Sequence, residues 1–360
     1  MSTGPAEPAD PNATPDAPRG IDREPVTRWL VEHIDGAIAP FRFDLIAGGR
    51  SNLTFMVTGA DGTRFVLRRP PLGHVLATAH DMAREHRVIA AVGRTGVPVP
   101  PALGLCTDEA VNGAPFYVMG FVEGEVLDSP EKAAKLPVDL RRPASEHLID
   151  VLADLHAVDI DAVGLGDFAK REGYIERQVK RWSTQWENSK TRELPAIDEV
   201  AAALRSRIPE QRGVSIAHGD FRFGNCLTDV RQGRIAAVLD WELCTLGDPL
   251  ADVGYLGVYW YQGDAATTRH NDPTSAGGFA TYDELLERYA ARTGRDLSGI
   301  DYYVAFSCWR LAVISEGVYA RYLHGAMGDQ GDVDIEVFKV GVDQLAERAL
   351  TRSEERRVGK

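Results

Sequence analysis

The hydrophobic pattern of this chain changes period near residue 122, and that change limits its fold more than any other feature. Before it, apolar residues alternate in short runs broken by turn residues. "FRFDLIAGG" and "LTFMVTGADGTRFVLRR" read as strands, and the second run turns at Asp61-Gly62, a strong hairpin signal. "PFYVMGFVEGE" is a further strand. Two helical patterns interrupt these strands. One carries Val26, Trp29, Leu30 and Ile34 behind Asp22 as an N-cap and is stopped by Gly36; the other is "ATAHDMAREHRVIAAVGRTG". From about residue 140 the pattern is helical, in "SEHLIDVLADLHAVD" and again over 281–291, 301–324 and 334–350. Only the hairpin "NCLTDVRQGRIAAVLDW", turning near Gln232-Gly233, breaks it. A β-rich front and an α-rich back predict an α+β chain of two lobes with a cleft between them.

The expected divisions are a disordered tail over 1–20, an N-lobe over 21–122, a C-lobe over 123–352 and a short tail over 353–360. The first twenty residues hold five prolines and, apart from Met1, only alanine as an apolar type, too little to offset the entropy of ordering. The formal charge of −13 argues against a nucleic-acid partner. No apolar run approaches the roughly 18 residues that span a bilayer, and the N-terminus lacks the apolar core of a signal peptide. Cys106, Cys226, Cys244 and Cys308 show no metal-type spacing and read as reduced core thiols of a cytoplasmic protein.

The chemistry concentrates in "HGDFRFGN", residues 218–225, and in Asp240 at the end of "IAAVLD". Two carboxylates and a carboxamide on a loop and a strand end are either turn formers or a metal–nucleotide site. Phosphoryl transfer from ATP needs a carboxylate for the attacking hydroxyl, hard oxygen ligands for Mg²⁺, a cation on the phosphates and a glycine-bearing loop over them. Each requirement has a candidate along the chain. Gly48 and Gly49, with Arg50, Ser51 and Asn52, lie between two predicted strands; Arg68 ends the next strand; Glu85 lies in the following helix, where it could pair with Arg68; Asp220, Asn225 and Asp240 come later. His218 reads as a core histidine that orients the loop, Asp248-Pro249 as a helix start and Asp252 as a brace one turn on.

These motifs resemble the aminoglycoside phosphotransferase-like kinases from about residue 40 to 325, most specifically in "HGDFRFGN" and "VLDWELCTLGDPLADVGYL". "FVLRRPP", "REHRVI" and "YVMGFVEG" are similar to the branch that includes the kinase-like domain of some acyl-CoA dehydrogenases. The resemblance implies a bilobal protein-kinase-like fold, with a small antiparallel N-lobe holding one helix and a larger, mainly helical C-lobe. It implies Asp220 as catalytic base, Asn225 and Asp240 as Mg²⁺ ligands, and Met119, Gly120, Phe121 and Val122 as a hinge offering backbone groups to adenine. The chain departs from protein kinases in carrying Arg68 where they have lysine. It also has Trp241-Glu242 after Asp240, and only seven residues between Asp240 and Asp248. That gap leaves no room for a peptide-binding activation segment and favours a small-molecule hydroxyl.

The expected activity is an ATP- and Mg²⁺-dependent phosphotransferase acting on a small hydroxyl compound. The alternatives are an aminoglycoside phosphotransferase conferring resistance and a nucleotide-binding pseudokinase. Residues 170–192 hold seven Lys or Arg and three Glu, a local net of +4 in an acidic chain. Arg177, Lys180, Arg181, Trp182 and Trp186 there form either a site for an anionic substrate, such as a hydroxyacyl-CoA, or a helix that buries its tryptophans and exposes its charges.

Overall fold

The computed structural model describes residues 18–47, 52–72, 81–261, 263, 272–324 and 335–358, with side chains to residue 353. Residues 1–17 of the tail expected over 1–20 and the loop residues Gly48, Gly49, Arg50 and Ser51 lie outside the described residues. The chain divides into two compact units. One holds the chain up to Arg87 with Pro101–Phe121; the other holds Val88–Pro100 and the chain from Val122 onward.

The first unit is an antiparallel sheet. Its strands are β1 (Arg42–Ala47), β2 (Leu53–Thr58), β3 (Arg64–Arg69), β4 (Ala102–Cys106) and β5 (Phe116–Gly120), in the order β1-β2-β3-β5-β4. Helix α1 (Arg23–His33) covers one face, α2 (Met82–Val92) begins in this unit, and α3 (Glu109–Asn112) is a single turn. Alternation decides what each face carries. Phe55, Leu67 and Val118 stand side by side and join Trp29 and Leu30 of α1 in one buried cluster. Burying each such side chain contributes about 1.5–3 kcal/mol. The next rung, Thr54, Arg68 and Tyr117, therefore points to the other face. Arg69 returns to the α1 side, where it is buried and its Nη1 donates to the carbonyls of Gly20 at 2.6 Å and Asn112 at 3.0 Å.

The second unit is mainly helical: α4 (Pro130–Ala133), α5 (Val138–Ala157), α6 (Tyr174–Ser189), α7 (Pro195–Ser206), α8 (Leu250–Val258), α9 (Tyr282–Thr293), α10 (Ile300–Leu323) and α11 (Glu336–Val358). Two small antiparallel pairs lie among them. β6 (Ser215–Ala217) pairs with β9 (Thr245–Gly247), and β7 (Cys226–Asp229) pairs with β8 (Arg234–Val238). The hairpin turns at Gly233, in the left-handed region with φ 61°. α10 is buried along most of its length and packs against α6, α7, α8 and α11. The backbone stays helical to Val358, through most of the stretch read as a tail.

Gly254 sets how closely α8 and α10 approach. A Cβ there would lie 2.6 Å from the Tyr303 backbone, which cannot swing aside as a side chain could. Gly254→Ala should therefore lower unfolding free energy by about 1–3 kcal/mol through overpacking, despite alanine's better helix propensity. Denaturant titration of both proteins checks this, and a variant as stable as wild type would show that the contact yields freely.

Candidate active site

Three side chains outside the motif hold the loop that carries Asp220. Gly219 is left-handed at φ 84°, and a Cβ there would come within 2.8 Å of the Leu243 carbonyl, so glycine is required twice over. The backbone N–H groups of His218 and Gly219 donate to Asp252 at 2.7 and 2.8 Å. The Gly219 carbonyl accepts from Arg310 of α10 at 2.5 Å. Asp252 is buried and takes a third hydrogen bond from His156 Nε2 at 3.2 Å. Burial alone would raise its carboxyl, but the histidines and the loop N–H outweigh that and hold it below the usual range. Burial also opposes the charge of Arg310; Tyr255, Tyr174, Asp220 and Asp252 more than restore it.

His218 is a fully buried spacer. Its Nδ1 accepts the Asp220 N–H at 3.2 Å, so its Nε2 carries the proton and donates to the Leu239 carbonyl at 2.9 Å. Leu239 in turn donates its N–H to the Asn225 carbonyl at 2.8 Å. The loop and the strand end are thus tied on both sides of the position that precedes Asp240. Asp240 is the one described non-glycine residue with positive φ, at 64°. Aspartate tolerates this conformation better than most residues, and such strain gathers at functional sites. Trp241, buried behind it, packs at a tilt against His218 with ring centroids 4.8 Å apart and donates to the Val238 carbonyl. β8 ends at Val238, so Asp240 sits on the turn after the strand rather than at its last position.

Within this frame a single helical turn, Phe223–Asn225, brings Asn225 back to Asp220. Asn225 Nδ2 donates to the Asp220 carboxylate at 2.6 Å and to its carbonyl at 2.8 Å. An acceptor-only carboxylate fixes the amide orientation, and Oδ1 is left with no hydrogen-bond partner among the described residues. Arg222 Nε lies 3.3 Å from the other carboxylate oxygen, and its guanidinium rests over Tyr259 at 4.8 Å. Burial disfavours the Arg222 charge, yet Asp220 beside it raises its pKa overall.

The first unit has its own carboxylate-centred cluster. Glu85 is buried; its oxygens take Asn52 Nδ2 at 2.8 Å and the Tyr117 hydroxyl at 3.1 Å, and lie 3.1 Å from Arg68 Nε. Glu85 thereby holds Arg68 in one orientation on the face away from α1.

The profile of the phosphotransferase enzyme family matches residues 42–303. The chain belongs to this family. Among curated proteins it is 36% identical to mouse acyl-CoA dehydrogenase family member 10 over 82% of this chain and 28% of that protein. It is 30% identical to human acyl-CoA dehydrogenase family member 11 over 92% of this chain and 43% of that protein. The chain thus spans less than half the length of these relatives. A Ralstonia eutropha structure provisionally assigned as an aminoglycoside phosphotransferase is 32% identical, with TM-score 0.78, covering 93% of this chain and 98% of that one. Aminoglycoside 2'-phosphotransferase-IIIa, solved as a GDP complex, shares the fold at TM-score 0.58 and 17% identity, over 91% of this chain and 97% of that one. The fold is α+β and protein-kinase-like, as the motifs imply.

In this phosphotransferase several residues read from the sequence take other places. Asn52 does not present its side chain to a ligand, because its amide is buried and bonded to Glu85. Of the backbone groups expected to meet adenine over Met119–Val122, the Gly120 N–H is taken by the Pro101 carbonyl at 2.8 Å. Trp186 is core, with its indole N–H on Asp198 at 3.0 Å, so it cannot form a substrate platform. Trp182 is half-buried, with Arg181 5.2 Å from its ring, and Lys180 and Arg181 are exposed. Arg177 turns to the Lys170 carbonyl. Arg222, Arg310 and Tyr117 escaped the sequence reading. Arg222 could have been found as the only cation inside the motif; nothing local marks the other two.

Asp252→Asn should cost about 1–3 kcal/mol, because an amide offers one acceptor oxygen and turns its NH₂ toward another donor. The wild-type carboxyl is held below its ordinary 3.8. Its stabilisation is therefore complete above that value and lost as pH falls through the lower folded-state value. Denaturant titrations should give a constant wild-type advantage from about pH 7 to 5 that narrows below about pH 4; an advantage that widens in acid would contradict the assignment.

Proposed function

We propose that the chain transfers the γ-phosphate of ATP to a hydroxyl of a small molecule, with Mg²⁺. The observation that carries this reading is the Asp220–Asn225 pair, a carboxylate clamped at 2.6 Å by an amide whose own oxygen has no hydrogen-bond partner among the described residues. The donor set fits the metal. Asn225 Oδ1 and the Asp240 carboxylate are hard oxygens, and no cluster of three or more His, Cys, Asp or Glu stands ready for a metal among the described residues. Mg²⁺ suits such a sparse set, because it takes one or two carboxylates and completes its shell with phosphates and water. When bound, it supplies charge neutralisation across the phosphates.

The chain's own residues do the rest. Asp220 accepts the proton of the attacking hydroxyl as the new P–O bond forms and the bond from the γ-phosphorus to the bridging oxygen breaks, leaving ADP. The amide of Asn225 and the guanidinium of Arg222 keep that carboxylate in one rotamer. Arg68, oriented by Glu85, offers a planar fork to phosphate oxygens in place of a lysine's point charge. With ATP and a true acceptor, Asp220→Asn should keep nucleotide binding while turnover falls roughly 10² to 10⁴-fold. Undiminished turnover in that variant would end this assignment.

For the acceptor, we favour an anionic hydroxyl compound with an apolar or ring-bearing part, such as a hydroxyacyl-CoA. Lys180 and Arg181 support it, as an exposed basic pair beside the half-buried Trp182. Polycationic aminoglycosides would be repelled there. Side-by-side transfer assays should show a hydroxyacyl-CoA phosphorylated more efficiently than kanamycin, with Lys180→Glu and Arg181→Glu each lowering only the former by about tenfold, or 1.4 kcal/mol. Efficient kanamycin phosphorylation, indifferent to both reversals, would refute this acceptor class.

A further inference from the structure

The second unit contains a cavity of about 420 Å³ whose walls include none of Asp220, Asn225 and Asp240. They come from the start of α8, the stretch before β6 and the connection from α9 to α10. Its volume falls in the usual range for small-molecule sites.

The charged groups in its walls are not equally satisfied. Asp248 spends its oxygens on the Leu250 N–H at 3.0 Å and the Tyr303 hydroxyl at 2.7 Å. Asp296 is taken by Arg212 and by Ser298. Glu210 is exposed to water. Arg295 differs: it is half-buried, its Nη2 reaches the His156 carbonyl at 3.3 Å and it lies against the Tyr289 hydroxyl, but its Nε is enclosed and has no hydrogen-bond partner among the described residues. A buried donor on a permanent cation is costly unless something accepts from it. Beside it begins α10, 24 residues long, whose N-cap Gly299 offers no side chain to the positive end of the helix.

We propose that this cavity binds a small anion, a carboxylate or phosphoryl group of a metabolite, seated between Arg295 and the start of α10. Two short links join it to the catalytic loop. Arg295 holds the carbonyl of His156, whose imidazole donates to Asp252; Asp248 lies just before α8 and accepts from its first N–H, that of Leu250, two residues before Asp252. An occupant that fixes Arg295 therefore stiffens the residue that anchors the His218 and Gly219 N–H groups.

The site is independent of the phosphotransfer reading, and calorimetry on the whole chain reads it directly, with inorganic phosphate and malonate as separate probes. Two variants attack different walls. Arg295→Gln removes the cation. Gly299→Leu fills the space, since its φ of −100° suits any residue and a Cβ there meets nothing within 4 Å. We expect saturable millimolar or tighter binding of at least one probe by wild type, weakened tenfold or more by each variant, and slower amide exchange at His218 and Gly219 when the probe is bound. If Arg295→Gln fails to fold, Gly299→Leu decides alone. No saturable binding by wild type, or binding that Gly299→Leu leaves unchanged because the anion sits elsewhere, overturns the site. Binding without slower exchange overturns its coupling to the loop.

Discussion

A charge buried without water costs several kcal/mol unless hydrogen bonds replace the solvent, and Asp252 meets that cost with three donors. Two of them are consecutive backbone N–H groups of the loop that carries Asp220, and the third is His156. The exchange is mutual. The carboxylate is satisfied only if the loop holds its shape, and the loop's buried N–H groups are satisfied only if the carboxylate stays ionised. Once His218 is fixed, its ring positions the Asp220 N–H on one side and the Leu239 carbonyl on the other. Asp220, Asn225 and Asp240 then inherit their places. His156 is oriented in turn by the Tyr289 hydroxyl at 2.7 Å, which burial keeps protonated.

Glu85 in the first unit and Asp252 in the second solve similar problems with opposite products. Glu85 gathers an amide, a phenol and a guanidinium, and what it fixes for use is the cation Arg68. Asp252 gathers an imidazole and two backbone groups, and what it fixes for use is another carboxylate. In both, the residue that would meet a ligand is held by one that would not. Freezing a long side chain before a ligand arrives moves its entropy cost from binding to folding. Arg310 shows how tightly this couples in the second unit, because the burial of its charge is offset by Tyr255, Tyr174, Asp220 and Asp252 while it holds the Gly219 carbonyl.

Much of this was legible in the sequence where pattern and spacing carry the physics. The hairpin at Asp61-Gly62, the long helices and the "HGDFRFGN" loop announce themselves through alternation, helical period and polar residues at fixed separation. The Arg68–Glu85 pair was legible because both residues end or enter strongly patterned elements. What was hidden is what depends on distant partners. β6 and β9 have three residues each, too few for alternation to register, and exist because they pair with each other. Tyr117 and Arg310 look like ordinary members of a strand and a helix; only the folded chain sets them beside Glu85 and Gly219. Trp186 was ambiguous for a related reason, since helical spacing groups it with Trp182 but cannot say which of the two faces α7.

The seven residues between Asp240 and Asp248 show how local constraint bears on the choice of acceptor. They are fully used. Trp241–Leu243 form one tight turn with the indole packed on His218, and Thr245–Gly247 form β9, bonded to the strand that leads into the Asp220 loop. Gly247 packs against the ring of Tyr174, with no room for a Cβ. A segment spent on holding Asp240 in its left-handed turn and on closing β6 has no slack left to lay out a peptide. The same economy that fixes the Asp240 carboxylate so firmly thus agrees with the proposed acceptor, a small molecule that brings its own shape rather than a peptide.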